Sequence, residues 1–337
     1  MNKILKILLD NYNNNTSDIF RASEYWKEKN QSIIEEIKKK NIKDFRSNQS
    51  NLSSGFSDNN ILDYRKEYGS SFLRKIIKNI MYCYPLNSIF RQQAELTKKY
   101  YSQLNFFKEF YFKSNLETRR LLNKYKFKNT TAFGSENNIN FKKKISIHYL
   151  FMAQRFEKIT QFSNFSNINS HCEIGGGFGA FLHFMLQNQK KMKKILYVDI
   201  FPQLYFGTLY LKKFFKHNVI DYFQFLKNNK TLFSNNNQLE IVVLPPNALN
   251  YVKFNFDSFH NAYSFQEMNA NQIKYYRNFI KNNSDHKTLL SFIFYQNKNK
   301  NIINYKRFKT IFSNFKLKSF EYKRLDSLTK DMLLMNV

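Results

Sequence analysis

The residues whose types and spacing could do chemistry begin with a glycine-rich stretch at residues 171–182, which reads His-Cys-Glu-Ile-Gly-Gly-Gly-Phe-Gly-Ala-Phe-Leu. It contains four of the eight glycines of the chain. Glycine lets the backbone turn tightly and lets a ligand approach it, and a helix that starts after such a turn presents free N–H groups. We therefore predict a strand ending near Ile174, a ligand-binding turn, and a helix from about Gly179 to Gln187. The predicted ligand contacts of this stretch are Glu173, Gly175, Gly176, Gly177 and Gly179.

Two kinds of ligand fit this turn. The pattern Glu-x-Gly-x-Gly-x-Gly from Glu173 to Gly179 is typical of Rossmann-like methyltransferases, which bind S-adenosylmethionine. The overlapping pattern Gly175-x-Gly177-x-x-Ala180 fits the fingerprint of dinucleotide-binding domains. A third interpretation is a glycine-rich turn that binds no ligand.

Asp199 supports a ligand that carries a ribose, which both S-adenosylmethionine and a dinucleotide do. It closes an apolar run that begins at Lys194, and Pro202 follows at a suitable first helical position. Asp199 comes 20 residues after Gly179, the spacing at which a carboxylate after the second strand accepts hydrogen bonds from ribose hydroxyls. The alternative interpretation is an aspartate that caps a helix or lies on the surface.

The elements that must position these residues alternate between strand and helix from residue 170 onward. Predicted strands cover 171–174, 195–199, 239–244, 258–263, 288–295, 316–323 and 332–337. Predicted helices cover 179–187, 202–215, 270–281 and 304–314. This alternation predicts a Rossmann-like α/β fold with a mostly parallel sheet and helices on both faces. The last two strands have a short connection and should form an antiparallel hairpin, a layout found in class I methyltransferases and absent from ordinary dinucleotide domains.

The first 140 residues read as a mainly helical region. Apolar residues recur at helical spacing over 1–12, 22–40, 70–83 and 87–113, and a capping box opens a further helix over 114–125. The polar stretch 41–60 reads as a loop or an arm, and 129–141 as a domain boundary. A helix over 145–159 should then lead into the first strand. We predict a helical substrate or cap region over 1–140 and a Rossmann-like domain over 141–337.

Charge and cysteine content limit the partners and the compartment. The chain has 54 Lys and Arg against 25 Asp and Glu, for a formal net charge of +29. Such a chain attracts polyanions, but Lys is spread evenly and accompanies abundant Asn, Ile, Phe and Tyr, as an AT-rich genome would produce. Two cysteines without metal-type spacing suit a reducing compartment, so we expect a cytoplasmic protein. The sequence holds no apolar run of membrane length, and an anionic membrane face stays open as a peripheral partner.

Three blocks of sequence resemble the sugar O-methyltransferases of bacterial surface-glycan clusters. The first block is Glu-Ile-Gly-Gly-Gly-Phe-Gly at 173–179, and the second is Tyr-Val-Asp-Ile-Phe-Pro-Gln-Leu at 197–204. The third, Asn-Ala-Tyr-Ser-Phe-Gln-Glu-Met at 261–268, is the most specific, because Rossmann folds in general lack it. The resemblance covers roughly residues 145–300. It implies an S-adenosylmethionine-dependent O-methyltransferase whose acceptor is a sugar or a sugar nucleotide. The positive charge leaves a nucleic-acid methyltransferase as an alternative, but Ser-Phe-Gln-Glu at 264–267 stands where an Asn/Asp-Pro-Pro-Tyr-type motif would follow the fourth predicted strand, so we expect no nucleic acid as partner.

Methyl transfer to a sugar hydroxyl requires alignment of the reacting atoms and a base for the hydroxyl proton. Ligands of an open parallel sheet bind beyond the carboxyl ends of the strands, where the fourth predicted strand ends. Glu267 is our first candidate for the base and His260 the second. Glu267 has an alternative role as a carboxylate at a helix N-terminus, and strand alternation favours His260 as a buried histidine of the sheet.

The remaining predicted cofactor contacts follow the third and fourth strands. Asn261 and Ser264 lie at the end of the fourth strand, and Pro246, in the sequence Pro-Pro-Asn at 245–247, would lie over the adenine. The alternative for the proline pair is a rigid turn. No cluster of His, Asp and Glu has the spacing of a metal site, so we predict no metal.

Overall fold

The computed structural model describes residues 3–15, 17–39, 42–46, 115–128, 131–135, 138–141, 143–163, 165–296, 303–325 and 330–336. The predicted helices over 70–83 and 87–113, and most of the predicted loop over 41–60, lie outside these residues. The chain divides into two compact units. The first unit comprises 1–42, 125–128 and 151–337, and the second comprises 43–124 and 129–150. The division groups residues 1–42 with the sheet.

The described residues form nine α-helices and ten β-strands. The helices are α1 (Lys3–Asn14), α2 (Glu24–Lys39), α3 (Asn115–Lys124), α4 (Ile147–Gln161), α5 (Ala180–Asn188), α6 (Gln203–Phe215), α7 (Tyr222–Lys227), α8 (Ala270–Asn282) and α9 (Tyr305–Ile311). The strands are β1 (Asn138–Phe141), β2 (Lys143–Ser146), β3 (Ser170–Ile174), β4 (Lys194–Val198), β5 (Val219–Ile220), β6 (Glu240–Leu244), β7 (Ser258–Ala262), β8 (Leu289–Tyr295), β9 (Leu317–Lys323) and β10 (Lys330–Asn336).

The first unit is built on a mixed sheet of eight strands in the order β5-β6-β4-β3-β7-β8-β10-β9. The six strands β5-β6-β4-β3-β7-β8 are parallel to one another. Strand β10 lies between β8 and β9 and is antiparallel to both. The strand order reverses at β3, with β4 on one side and β7 on the other, and this reversal is the topological switch point at which open α/β sheets bind ligands.

The sequence predicted this sheet, with one strand missing from the prediction. All seven predicted strands are observed, with ends that move by at most two residues. The predicted sheet has seven strands and the observed one has eight, because β5 adds two residues at the edge. The four predicted helices of this part are also confirmed, although α9 ends at Ile311 instead of Asn314.

The sheet is covered on both faces, as its sequence requires. Strand β3 is buried along its whole length, and β4 and β6 are buried except at their first residue. Parallel strands buried on both faces read as continuous apolar runs, and burial of their side chains is the main stabilising contribution of such a sheet. Helix α5 is buried from Ala180 to Leu186, so it fixes the turn that precedes it firmly to the sheet.

The segment from Lys3 to Lys39 packs on the sheet at several places. Asn11 Nδ2 of α1 donates to Tyr222 Oη of α7 at 3.3 Å. Gln272 Nε2 of α8 donates to the carbonyls of Asp18 (3.2 Å) and Arg21 (2.9 Å), which precede α2. These contacts are side-chain hydrogen bonds from distant parts of the chain, so the segment belongs structurally to the sheet unit.

The second unit contains a two-stranded antiparallel hairpin of β1 and β2. Ile139 lies opposite Ile145 in its register. The predicted helix start at Ile145 is corrected, because Ile145 belongs to β2 and α4 begins only at Ile147. Buried Arg46 donates to the carbonyl of Ala132 at 3.0 Å, which fixes the short segment 43–46 within this unit.

Among the described residues, no helix combines the length and the apolar character needed to cross a bilayer.

Candidate functional site

The glycine turn between β3 and α5 needs three residues in the left-handed region of backbone conformation. Gly175, Gly177 and Gly179 have φ values of +70°, +67° and +88°. Each would cost an L-residue about 1–2 kcal/mol, so the glycines are required by the backbone itself. The turn lies at the carboxyl end of β3, at the switch point of the sheet.

The surroundings of these glycines separate a packing role from a ligand role. A Cβ on Gly175 would come within 2.0 Å of Ser264 Oγ, and one on Gly176 within 2.5 Å of the Tyr197 ring. A Cβ on Gly179 would meet Leu211 at 3.1 Å. A Cβ on Gly177 would meet nothing within 4 Å. Gly177 is therefore the glycine that faces open space, where a ligand could approach the backbone.

Asp199 lies directly beyond β4 and holds the turn from the side. Its Oδ2 accepts the N–H of Gly177 at 2.8 Å, and its Oδ1 accepts the N–H of Ile200 at 2.7 Å. Tyr197 Oη donates to the carbonyl of Gly177 at 2.7 Å. Burial is the main cause that raises the pKa of Asp199, to about 7. The hydrogen bonds from the backbone of Gly177 and Ile200 oppose this rise, and the charge of Glu267 adds to it. Each carboxylate oxygen keeps a second lone pair, so Asp199 can still accept from ribose hydroxyls.

Glu173 is a buried carboxyl group beneath the turn. It is 2% exposed, and its Oε2 has no hydrogen-bond partner among the described residues. Burial raises the pKa of Glu173 to about 8; the charge of Arg155 opposes this rise and that of Asp199 adds to it. Two neighbouring carboxyl groups with raised pKa values favour a cationic ligand, because a positive charge would stabilise their ionised forms.

Asn261 and Ser264 lie on the other side of the turn, after β7. Asn261 is fully buried, and its Nδ2 donates to the carbonyl of Ile174 at 2.7 Å and also to Ser264 Oγ. Its Oδ1 accepts the N–H of Phe265 at 3.1 Å. The polar atoms of Asn261 are thus engaged within the chain, where they fix the end of β3 and place Ser264 against Gly175.

The loop after β6 forms the third side of the site. Pro246 begins a short 3₁₀ helix over Pro246–Tyr251, and its carbonyl accepts a hydrogen bond from Tyr275 Oη at 2.9 Å. The neighbouring Asn247 has a buried Oδ1 with no hydrogen-bond partner among the described residues. An amide oxygen in this position can accept from an amino group such as that of adenine.

Glu267 lies at the end of a 3₁₀ helix over Ser264–Glu267, and both its oxygens are bound. Trp26 Nε1 of α2 donates to Oε2 at 2.6 Å, and Tyr295 Oη at the end of β8 donates to Oε1 at 3.0 Å. Burial raises the pKa of Glu267; the hydrogen bonds from Trp26 and Tyr295 and the charge of Lys29 oppose the rise. Asn269, and not Glu267, supplies the N-cap of α8, since its side chain accepts the N–H of Gln272. Glu267 therefore does not cap α8.

His260, the second candidate base, lies inside the sheet packing. It is fully buried, its Nδ1 lies 2.8 Å from Ser291 Oγ, and its ring centroid lies 4.4 Å from that of Phe181. Burial lowers the pKa of His260 well below its ordinary value, and the positive charge of Arg155 lowers it further. This position agrees with the buried-histidine interpretation of the strand alternation and gives the ring no exposed surface.

Two site residues were missed by the sequence analysis. Trp26 was read as part of an apolar stripe of its helix, and Tyr295 as the end of a strand. One signal was available for Trp26, since it is the only tryptophan of the chain. No group of three or more His, Cys, Asp or Glu side chains in the described part of the chain could hold a metal ion.

Comparison with known proteins gives structural similarity only. No protein-family model matches the chain, and no curated protein matches it. The pyocyanin biosynthetic protein PhzM is similar at 11% identity and a TM-score of 0.38, over 56% of this chain and 57% of PhzM. A SAM-dependent methyltransferase from Aquifex aeolicus gives 13% identity and a TM-score of 0.37, over 57% of this chain and 94% of that protein. The magnesium protoporphyrin IX methyltransferase of Synechocystis PCC 6803, solved with bound SAM, gives 10% identity and a TM-score of 0.37, over 56% and 80%. The fold described above rests on the strand order of the chain itself.

Proposed function

We propose that this protein is an S-adenosylmethionine-dependent methyltransferase that methylates a sugar hydroxyl in cell-surface glycan synthesis. The observation that carries the proposal is strand β10, which runs antiparallel between β8 and β9 at the end of a parallel sheet. A dinucleotide-binding sheet places its last strands in the parallel order 4-5-6. The inserted antiparallel strand is typical of class I methyltransferases, and it supports this cofactor over NAD or NADP.

The residues of the turn fit that cofactor. Glu173 Oε2 and Asn247 Oδ1 are buried acceptors that lack a hydrogen-bond partner among the described residues. S-adenosylmethionine carries an ammonium group and an adenine amino group, which are donors of the required type. Asp199 would hold the ribose hydroxyls, and the open backbone at Gly177 would allow close approach. Pro246 and Ser264 would line the site beside them.

The reaction requires little covalent chemistry from the protein. The cofactor, when bound, supplies an electrophilic methyl group on a positively charged sulfur. Glu267 would take the proton of the acceptor hydroxyl as the carbon–oxygen bond forms and the methyl–sulfur bond breaks, with its electron pair left on the sulfur. Trp26 and Tyr295 hold the two oxygens of Glu267 in place. The carboxyl groups of Glu173 and Asp199 favour the positive charge of the bound cofactor over its neutral product.

The sugar acceptor is supported by the resemblance of residues 261–268 to the sugar O-methyltransferases and by the setting of Glu267. A carboxylate beside a tryptophan and a tyrosine suits a ligand that has both hydroxyl groups and an apolar face. We propose a sugar or sugar nucleotide as the acceptor, with the reaction taking place in the cytoplasm.

A ligand screen tests the cofactor and an acceptor screen tests the substrate. S-adenosylhomocysteine should raise the melting temperature, with a stabilisation of about 2.7 kcal/mol at a hundredfold excess over its dissociation constant, and NAD and NADP should not. A shift with NADH alone would overturn the methyltransferase proposal. Formation of S-adenosylhomocysteine is then measured with free sugars, sugar nucleotides, lipid-linked sugars and an oligonucleotide. Methylation of the oligonucleotide alone would overturn the sugar acceptor and keep the methyltransferase.

A further inference from the structure

Helix α2 is fixed to two loops that lie on opposite sides of the glycine turn. Trp26 donates to Glu267, which follows β7. Asn30, one helical turn later, donates to the carbonyl of Phe201 at 3.4 Å and accepts from Gln203 Nε2 at 2.9 Å, beyond β4. Residues four apart lie on the same face of a helix. Since β4 and β7 flank β3 in the sheet, this face of α2 spans the carboxyl end of β3.

The anchor at Asn30 is a buried polar contact, which makes the position of α2 specific. Asn30 is fully buried and Gln203 is 5% exposed. Burial of an amide without its hydrogen bonds is costly, so the pair fixes the helix in one register. Ile33 and Ile37 of the same helix are buried as well, which adds apolar contact area behind the anchor.

Trp26 contacts Glu267 in a way that few side chains could replace. The indole N–H is only a donor, so its partner oxygen on Glu267 must act as an acceptor. A hydrogen bond to an ionised carboxylate is stronger than one between neutral groups, and it also fixes the orientation of the carboxylate plane. Lys29 Nζ lies 5.1 Å from the centroid of the Trp26 ring, on the same side of α2.

We propose that Trp26 is the positioning residue of Glu267, so that α2 contributes directly to the site of proton removal. This inference rests on the proposed function for its kinetic consequences, but the pairing itself can be measured without any enzyme activity. Among the described residues, the titratable and charged groups that face Glu267 are Lys29 from α2, Tyr295 from β8 and Asp199 from the loop after β4. Tyr295 donates to the other oxygen and leaves Oε2 to Trp26.

The only tryptophan of the chain makes a direct optical test possible. Indole fluorescence depends on whether the carboxyl group bonded to it is ionised, so the emission of the wild-type protein should change with pH in step with Glu267. We expect a transition above the ordinary glutamate range of about 4.3. Glu267→Gln should remove this transition, and Asp199→Asn should retain it. A transition that persists unchanged in Glu267→Gln would overturn the pairing and therefore the proposal.

The kinetic test separates positioning from a structural role. Trp26→Phe keeps an aromatic ring and removes the N–H donor, and it should lower kcat on the order of tenfold while the affinity for S-adenosylhomocysteine stays near wild type. Loss of a hydrogen bond that lowers the pKa of Glu267 should also move the acid limb of the kcat profile to higher pH. Asn11→Ala, which loosens α1 at Tyr222 and does not touch Glu267, is the control and should leave that limb in place.

The outcomes of the two tests are distinct. A Trp26→Phe variant with the wild-type kcat and acid limb would overturn the positioning role, even if the fluorescence test shows the pairing. If Asn11→Ala moves the acid limb as far as Trp26→Phe does, general loosening explains the effect and the proposal is wrong. If the wild-type protein methylates no acceptor, the proposed function fails, and the fluorescence transition still decides whether Trp26 holds Glu267.

Discussion

Gly177 is the position where the demands of the fold and of the ligand can be separated by a single methyl group. Its φ of +67° disfavours any L-residue, yet a Cβ there would meet nothing within 4 Å. Gly175 has almost the same φ, +70°, but a Cβ there would lie 2.0 Å from Ser264 Oγ and 2.5 Å from Ser264 Cβ. The two glycines form a matched pair. An added methyl would meet the same backbone strain at both, but it has room only at Gly177.

The expected losses of stability follow from those distances. Gly177→Ala should lower the free energy of unfolding by about 1–2 kcal/mol, the cost of the left-handed conformation alone. Gly175→Ala has that cost and must also displace the Ser264 side chain, and overpacking typically adds about 1–3 kcal/mol. We therefore expect a total loss of roughly 2–5 kcal/mol for Gly175→Ala. Urea unfolding of the three proteins measures both values.

The two variants should rank in the opposite order for cofactor affinity. Relative to its loss of stability, Gly177→Ala should lose more affinity for S-adenosylhomocysteine than Gly175→Ala does. If the cofactor approaches the backbone at Gly177, the added methyl occupies that space and should weaken S-adenosylhomocysteine at least tenfold, or about 1.4 kcal/mol. Calorimetric titration at a temperature where all variants are folded measures the affinity. Gly177→Ala that binds S-adenosylhomocysteine as tightly as wild type would refute the reasoning, because the open space at Gly177 would then not be the ligand site.

Further predictions concern the carboxyl groups of the site. Asp199→Asn should weaken S-adenosylhomocysteine by roughly 1–3 kcal/mol in the same titration, through loss of charge-assisted hydrogen bonds, and an unchanged affinity would place the ribose elsewhere. Glu173 and Asp199 have pKa values of about 8 and about 7 in the folded chain, against about 4 when unfolded, so the folded state binds more protons between these values. Their contribution to the free energy of unfolding should be full below about pH 4 and disappear as the pH rises towards 8. Urea unfolding at pH 5, 7 and 8.5 checks this, and Glu173→Gln should reduce the slope; an equal slope would contradict the assignment. Glu267→Gln should keep cofactor affinity and lower single-turnover methylation by roughly 10²–10⁴-fold, whereas His260→Gln should act on stability; a slow His260 variant with normal stability would reverse the roles.

Sequence patterns predicted those parts of the fold where neighbouring residues allow only one local structure. The strand ending near Ile174 and the helix after the turn were predicted because clustered glycines favour a tight turn, and three of these glycines do have positive φ. The strand over 195–199, observed as Lys194–Val198, was predicted because an apolar run closed by a polar residue and a proline has few other structures. Strand β5 was missed because two residues carry no periodicity.

The parts that were missed depend on contacts between distant residues. The hydrogen bond between Trp26 and Glu267 joins positions 241 apart, and no local pattern indicates it. The grouping of residues 1–42 with the sheet depends on similar contacts, such as that of Asn30 with Gln203. Raised pKa values also escape sequence analysis, because burial of a carboxyl group is a property of the folded chain.

The attachment of α2 to the sheet has a consequence for the order in which the molecule is built. On a ribosome that adds about 5–20 residues per second, Trp26 is made roughly 10–50 s before Glu267. For most of that interval Asn30, which is fully buried in the finished fold, also lacks its partners Phe201 and Gln203. Strand β10 is completed later still, and without it β8 and β9 are not joined. Helix α2 therefore gains its side-chain partners only after the loops beyond β4 and β7 have been made, and until then its apolar residues Ile33 and Ile37 are candidates for binding by chaperones.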